Sequence, residues 1–143
     1  MVTPEQEIIA KIVLDAAFEV HSRLGPGLLE SAYQICLLYE LKERGIYAEC
    51  EKPLPVVYKG IRLDCGYRID MFVEKDKIII ENKSVKEIND IHIAQILSYM
   101  RLSDVSLGFL FNFNVQSLKN GIKRIVLNDK NTYSTADQRA DSA

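Results

Sequence analysis

The chain has 143 residues, of which 48% are hydrophobic and 27% are charged, and its formal net charge is −2. This composition is typical of one globular domain with a sizeable core, and the net charge argues against a simple polyanion-binding protein. No apolar run approaches the roughly 20 residues that a membrane span needs, and the first residues lack the pattern of a secretory signal.

Two helices are predicted at the start of the chain. Thr3-Pro4-Glu5-Gln6 is a helix start with Thr as the N-cap, and apolar residues follow at helical spacing as far as Leu24. Gly25-Pro26-Gly27 ends this helix. A second helix is predicted over residues 28–44, with Gly45 as its C-terminal cap.

Strands are predicted in the middle of the chain. Residues 47–58 favour a strand at an edge of the sheet or an irregular one, because prolines interrupt them. Lys59-Gly60 predicts a turn. From residue 61 to residue 73 apolar and polar side chains alternate with a period of two, which indicates a further strand. The β-branched run Ile78-Ile79-Ile80 predicts its partner in a hairpin.

The last third of the chain predicts a helix over residues 88–102 and strands over 106–111 and 121–127. Residues 128–143 are polar and unpatterned, so we expect a disordered tail after a single domain of residues 1–127. The element order ααβββαββ predicts a mixed α/β fold with a central mixed β-sheet flanked by helices.

The hairpin predicts a cluster of charged side chains. With a two-residue turn at Lys75-Asp76, positions that sum to 151 face each other, so that Asp70 lies opposite Glu81. Lys83 shares a face with Glu81, because strand side chains repeat every two residues. Two carboxylates and one ammonium group would then meet on one surface, which is a geometry for a divalent cation.

This cluster has alternative explanations. Like charges placed directly across a sheet are destabilising unless a Mg²⁺ or Mn²⁺ ion compensates for them, but Lys83 offsets part of the repulsion without a metal. Glu81 and Lys83 also fit a plain strand end that returns to solvent. Residues 52–127 carry 12 basic and 8 acidic side chains, as a site for a phosphate backbone would. The same excess of basic side chains would also arise if helices and strands simply carried different solvating charges.

Helical side chains extend the candidate site. His92, Gln95 and Tyr99 form one stripe of the third helix, and Glu30 with Tyr33 occupies the second helix. Glu30 lies within an apolar stretch, an unusual place for an unpaired carboxylate. Each of these residues taken alone is more often structural.

Four motifs follow one another in the chain. They are Gly27-Leu28-Leu29-Glu30-Ser31-Ala32-Tyr33, Tyr67-Arg68-Ile69-Asp70, Ile78-Ile79-Ile80-Glu81-Asn82-Lys83 and His92-Ile93-Ala94-Gln95-Ile96-Leu97-Ser98-Tyr99. In this order they resemble the prokaryotic GxxExxY proteins, which are placed in the PD-(D/E)xK nuclease superfamily. The resemblance covers residues 8–127 and implies a restriction-endonuclease-like core.

The resemblance also implies a metal centre. Asp70 and Glu81 would ligate Mg²⁺ or Mn²⁺ together with the backbone carbonyl of Asn82, which occupies the variable middle position of its motif. Glu30 would be the helix carboxylate found at such sites, where it binds the metal through water or accommodates a second ion.

The chemistry implied is hydrolysis of a phosphodiester in nucleic acid, either DNA or RNA. Lys83 would orient the attacking water or stabilise charge on the phosphorane. Gln95 would position the nucleophile or a phosphate oxygen. Tyr33, His92 and Tyr99 are supporting residues. Because a domain of this size offers little surface for reading bases, a homodimer or a protein partner fits the prediction.

Two other functions remain open. A catalytically inactive module with the same fold would bind nucleic acid or a protein without any metal. A metal-dependent hydrolase would act on a small phosphorylated molecule. The sequence shows no glycine-rich phosphate loop, which argues against a nucleoside triphosphate as the substrate. The persistence of all four motifs favours the enzyme.

Overall fold

The computed structural model describes residues 1–129 and 131–137. Its helices and strands follow one another in a mixed α/β order that confirms the predicted fold class. In chain order they are α1 (Pro4–Leu24), α2 (Glu30–Glu43), β1 (Ala48–Pro53), β2 (Val56–Tyr58), β3 (Ile61–Leu63), β4 (Arg68–Val73), β5 (Ile78–Lys83), α3 (Asp90–Ser103), β6 (Leu107–Asn112), a short 3₁₀ helix (Leu118–Gly121), β7 (Ile122–Leu127) and β8 (Tyr133–Asp137).

A six-stranded mixed sheet with the order β1-β4-β5-β6-β7-β8 forms the centre of the fold. β5 and β6 are parallel, and helix α3 connects them, whereas the other neighbours are antiparallel. β1 lies at one edge of this sheet, as its prolines predicted. The six strands and the helices against them confirm a central mixed sheet.

Helices cover both faces of the sheet. On one face, α1 and α2 pack against β5 and β6 through side chains such as Val13, Leu37 and Phe111. On the other face, α3 packs through Ile96 and Met100. Gly108 of β6 permits this close approach, because a Cβ atom there would lie 2.8 Å from Met100 Sδ. Both layers thus bury apolar surface against the same sheet.

The helix starts follow local rules. Thr3 and Gln6 form the predicted capping box, and α1 begins at Pro4. α2 is shorter than predicted, because Leu29 adopts an extended backbone and acts as the N-cap, so that the helix begins at Glu30 rather than at residue 28.

The alternating segment of residues 61–73 forms two strands rather than one. β3 pairs with β2 in a separate two-stranded sheet, and β4 alone joins the central sheet. A turn separates them, in which Gly66 adopts a φ of +79° and donates its N–H to Asp64 Oδ1. The predicted order therefore misses two of the five strands between α2 and α3.

The predicted register of the hairpin is confirmed, although its turn is longer. β4 and β5 pair Met71 with Ile80 and Val73 with Ile78, so that opposed positions sum to 151. Four residues, 74–77, connect the strands instead of two. Because both turns have the same centre, the register is unchanged.

The expectation of a disordered tail is wrong for part of that segment. β8 pairs with β7 in an antiparallel ladder from Lys123–Asp137 to Leu127–Tyr133. The chain reverses because Asp129 Oδ1 accepts hydrogen bonds from the N–H groups of Asn131 and Thr132. The backbone groups at the free edge of β7 can therefore pair with the polar residues of β8. Residue 130 and residues 138–143 lie outside the described residues.

In the part of the chain that the structure covers, none of the helices has both the length and the apolar character that a membrane crossing requires.

Candidate active site

The regular pairing of β4 with β5 ends at Met71 and Ile80, and the next residues of the two strands are Asp70 and Glu81. The Asp70 N–H donates a hydrogen bond to Glu81 Oε2 at 2.9 Å, and the Asn82 N–H donates to Asp70 Oδ2 at 2.8 Å. Each carboxylate is therefore held by the backbone of the opposite strand. These bonds use one oxygen of each carboxylate, so the second oxygen is not needed to hold the pair in place.

The two carboxylates lie in an environment that disfavours their charged forms. Burial raises the pKa of Glu81, which is 2% exposed, and the neighbouring Asp70 raises it further. Burial also raises the pKa of Asp70, against the hydrogen bond from the Asn82 backbone. Lys83 lowers both pKa values. Burial is thus the main cause of both raised pKa values, and repulsion from neighbouring carboxylates adds to it. A bound cation would offset both effects.

Helix α3 supplies polar groups beside this pair. Lys83 Nζ donates to Gln95 Oε1 at 2.9 Å, and Gln95 Nε2 donates to the Tyr99 hydroxyl at 3.2 Å. Burial raises the pKa of Tyr99, and the charge of Glu81 adds to this effect. The structure thus brings Lys83, Gln95 and Tyr99 into one hydrogen-bonded chain.

His92 lies one turn before Gln95 and takes part in the N-terminal cap of α3. Its Nδ1 accepts a hydrogen bond from the Asn89 N–H at 3.1 Å, and Asn89 Oδ1 accepts one from the His92 N–H at 3.2 Å. These reciprocal bonds account for a histidine at this position of the helix.

Tyr33 is fully buried and holds the loop between α1 and α2. Its hydroxyl donates to the Gly25 carbonyl at 2.6 Å and accepts from the Leu28 N–H at 3.1 Å. Its ring stacks on Phe113 with a centroid distance of 4.5 Å. Gly27 adopts a φ of +101°, which side-chain-bearing residues rarely tolerate. The glycine and the tyrosine of this motif therefore shape the loop that precedes Glu30.

Glu30 is the first residue of α2 and is exposed. Its loop is fastened to the end of β5, because Ser84 Oγ donates to the Leu28 carbonyl at 2.7 Å. The Glu30 charge contributes to the raised pKa of Asp70. Glu30 thus lies within electrostatic reach of the carboxylate pair.

Glu51 is a third acidic residue beside the pair, and sequence reasoning missed it. β1 and β4 pair Cys50 with Met71 and Lys52 with Ile69, so that Glu51, between these pairs, lies level with Asp70. Glu51 adopts a φ of +54°, a strained conformation for a residue other than glycine. Its charge raises the pKa values of both Asp70 and Glu81. Aligning β1 with β4 would have found Glu51, but the prolines gave that segment no firm register.

Gln34 of α2 joins Glu51 to the middle residue of the Glu-Asn-Lys motif. Its Nε2 donates to Glu51 Oε2 at 2.9 Å, and its Oε1 accepts from Asn82 Nδ2 at 3.3 Å. Asn82 is fully buried, and its Oδ1 has no hydrogen-bond partner within residues 1–129 and 131–137. The side chain of the variable position is thus part of the polar network, and no signal in the sequence marked Gln34.

The oxygen atoms of this cluster are possible ligands of a metal ion. Within the described ranges, no three or more His, Cys, Asp or Glu side chains form a group that could hold one. Asp70 and Glu81 offer two carboxylates, and the Asn82 carbonyl is a further oxygen of the same strand. Mg²⁺ characteristically binds through one or two carboxylates and takes waters and substrate phosphates in its other positions. The residues present therefore fit a hard divalent cation that substrate and water help to coordinate.

Comparison with known proteins gives a family but no individual relative. The family model of the PD-(D/E)XK nuclease superfamily matches residues 7–125. No curated protein and no solved structure gives a significant match. The matched range includes every strand from β1 to β6 and all of the charged cluster. The chain belongs to the PD-(D/E)XK nuclease superfamily.

Proposed function

We propose that this protein is a divalent-metal-dependent nuclease that hydrolyses phosphodiester bonds in DNA or RNA. The observation that carries the proposal is the carboxylate pair. The Asp70 carboxylate accepts a hydrogen bond from the backbone of β5, and the Glu81 carboxylate accepts one from the backbone of β4. Their buried setting raises both pKa values, and Lys83 lies on β5 with Glu81. Nucleases of this superfamily generally use divalent metals. A structural ion pair would not need two adjacent carboxylates.

Asp70, Glu81 and the backbone carbonyl of Asn82 would hold Mg²⁺ or Mn²⁺. Glu30 would act through water or accommodate a second ion, since it is exposed but still affects the pKa of Asp70. The bound ion supplies Lewis-acid polarisation of the phosphate. The backbone bonds to both carboxylates keep the ligands in place before the ion arrives, which lowers the cost of assembling the site.

Lys83 would orient the attacking water or stabilise the negative charge that develops on the phosphate. Gln95 accepts a hydrogen bond from Lys83 Nζ, so it fixes the direction of that ammonium group. Tyr99 supports the Gln95 amide from the other side. We further propose membership of the GxxExxY proteins, because Gly27, Glu30 and Tyr33 keep that spacing beside the site.

The first test is calorimetric titration of Mn²⁺ into the wild-type protein and into Asp70→Asn/Glu81→Gln. We expect saturable binding that the double variant loses. Glu40→Gln is the matched control, since Glu40 belongs to a second Glu-x-Lys sequence on helix α2. Binding that persists unchanged in the double variant would contradict the proposed centre.

The second test separates an enzyme from an inactive nucleic-acid-binding module. Single- and double-stranded DNA and RNA are incubated with wild type, Asp70→Asn and Lys83→Ala in Mn²⁺ or in EDTA. The nuclease predicts cleavage by wild type only when metal is present, loss of cleavage in Asp70→Asn and much slower cleavage by Lys83→Ala. An inactive module predicts no cleavage, and its binding would survive or improve in Asp70→Asn because a negative charge is removed.

A further inference from the structure

A groove opens between helix α3 and the chain that precedes β4. Its volume of about 490 Å³ is within the usual range for sites that bind small ligands. Side chains that are mostly apolar or aromatic form its walls. Those that matter here are Val56 and Tyr67 on one side and Ile91, Gln95, Tyr99 and Leu102 on α3.

The groove adjoins the candidate active site directly. Gln95 and Tyr99 line the groove, and Gln95 Oε1 accepts the hydrogen bond from Lys83 Nζ at 2.9 Å. A ligand in the groove would therefore lie one side chain away from the ammonium group proposed to face the phosphate. This continuity links the groove to the substrate of the same site.

Aromatic surface is available in the groove. Tyr67 is 49% exposed, and its ring centroid lies 6.3 Å from that of Tyr99 at an interplanar angle of 59°. Ile91, on the opposite wall, is 75% exposed. Aromatic side chains of this kind provide stacking platforms for unpaired bases.

The wall that carries Tyr67 belongs to a basic segment of the chain. Residues 52–68, which include the β2–β3 hairpin and Tyr67, carry four basic side chains and one acidic side chain. They are Lys52, Lys59, Arg62 and Arg68 against Asp64. Arg68 directly follows Tyr67 and donates to its carbonyl at 3.2 Å. An apolar groove with one wall in a basic segment matches the two parts of a nucleotide, a base and a phosphate backbone.

We propose that this groove binds the unstacked base of a single-stranded nucleotide next to the scissile phosphate, so that the substrate is single-stranded nucleic acid or a frayed end. This inference rests on the proposed nuclease function. Within a duplex the faces of the bases are covered by their neighbours, and an apolar groove cannot reach them without unstacking. A single strand presents the base at no such cost.

The test measures binding in EDTA, where the proposed metal-dependent cleavage does not interfere. Fluorescein-labelled single-stranded DNA, single-stranded RNA and a blunt DNA duplex are titrated with wild type, Tyr67→Ala, Tyr67→Phe and the control Tyr39→Ala, an exposed tyrosine on α2. We expect Tyr67→Ala to weaken single-strand binding by roughly 5- to 100-fold, the effect of losing one stacked base. Tyr67→Phe and Tyr39→Ala should bind like wild type.

Two further readouts make the outcome specific. Tyr67→Ala should leave the salt dependence of binding unchanged, since that slope reports phosphate contacts. A 2-aminopurine base beside the cleavage position should be quenched by wild type and not by Tyr67→Ala. Comparison of the DNA and RNA strands identifies which of them the groove accepts.

The results separate this proposal from the nuclease proposal. If Tyr67→Ala binds single strands like wild type, the groove does not take a base, and a peptide becomes the better candidate, even if the protein cleaves nucleic acid. Equal affinity for duplex and single strand, both insensitive to Tyr67, would also overturn it. If single-strand binding depends on Tyr67 but no cleavage occurs with metal, the proposed base-binding groove is supported and the nuclease proposal fails.

Discussion

Lys83 Nζ and Gln95 Oε1 lie 2.9 Å apart and join the end of β5 to helix α3. The bond crosses from the central sheet to the helix that covers it, so the ammonium group has a defined direction before any substrate arrives. Groups held in this way lose less freedom during a reaction than groups that must be ordered first.

Removal of either partner should reduce nuclease activity to different extents. Lys83→Ala removes the positive charge, so we expect kcat to fall by about 10²- to 10³-fold. Gln95→Ala keeps the Lys83 charge but removes the hydrogen bond that orients it, so we expect kcat to fall by about tenfold. Single-turnover cleavage with saturating Mn²⁺ measures both. Lys42→Ala, in the second Glu-x-Lys sequence, should have wild-type activity, and an equal loss in all three variants would contradict the assignment.

The carboxylate pair should make stability depend on pH. Asp70 and Glu81 have folded pKa values raised to about 6 and about 8, so the folded state binds protons more readily than the unfolded chain. The free energy of unfolding should therefore decrease as pH rises from about 4, the unfolded pKa, towards these values.

Urea unfolding at pH 5 and pH 8.5 measures this effect. We expect Glu81→Gln to lose most of the pH dependence and to exceed wild type at pH 8.5 by about 1–3 kcal/mol. Glu40→Gln should follow the wild-type profile. A Glu81→Gln profile parallel to wild type would place the titrating groups elsewhere.

Metal should stabilise the protein most at alkaline pH. A divalent cation and protons compete for the same carboxylates, so binding weakens as the pair is protonated. We expect 1 mM Mn²⁺ to raise Tm at pH 8.5 and to have a much smaller effect at pH 5.5, and EDTA should reverse the shift. Asp70→Asn/Glu81→Gln should show no shift at either pH. A shift of the same size in that variant would indicate a different metal site.

Tyr33 should act through structure rather than chemistry. Tyr33→Phe keeps the stacking on Phe113 but leaves the Gly25 carbonyl and the Leu28 N–H without the hydroxyl. We expect a loss of about 1–3 kcal/mol in the free energy of unfolding, measured in urea. Tyr39→Phe, at an exposed tyrosine of the same helix, should change stability by less than about 0.5 kcal/mol.

Asn82 offers a test of the cost of polarity at the buried middle position. Its Oδ1 has no hydrogen-bond partner in the described part of the chain, and Asn82→Leu removes that unsatisfied atom while keeping the branching of the side chain. We expect stability to rise by about 1 kcal/mol in urea unfolding, with metal binding retained because the backbone carbonyl is unchanged. A loss of stability would show that the hydrogen bond to Gln34 stabilises the fold by more than the unsatisfied Oδ1 destabilises it.

Much of the site could be predicted because hairpin register is a local property. The centre of a turn decides which residues of adjacent strands face each other, and so Asp70 and Glu81 were placed correctly even though the turn is two residues longer than expected. The helix stripe of Gln95 and Tyr99 likewise follows from a fixed period.

The amino-acid sequence by itself determined the start of α1, the hairpin register and the order of the charged residues, because each depends on neighbours within a few positions. Only the tertiary structure decided that β1 brings Glu51 level with Asp70, that Gln34 reaches Asn82 from α2, and that β8 extends the sheet. The role of Tyr33 in holding the loop was decided in the same way. These contacts join segments whose pairing is set by the packing of whole layers, and no periodic pattern within either segment encodes its partner.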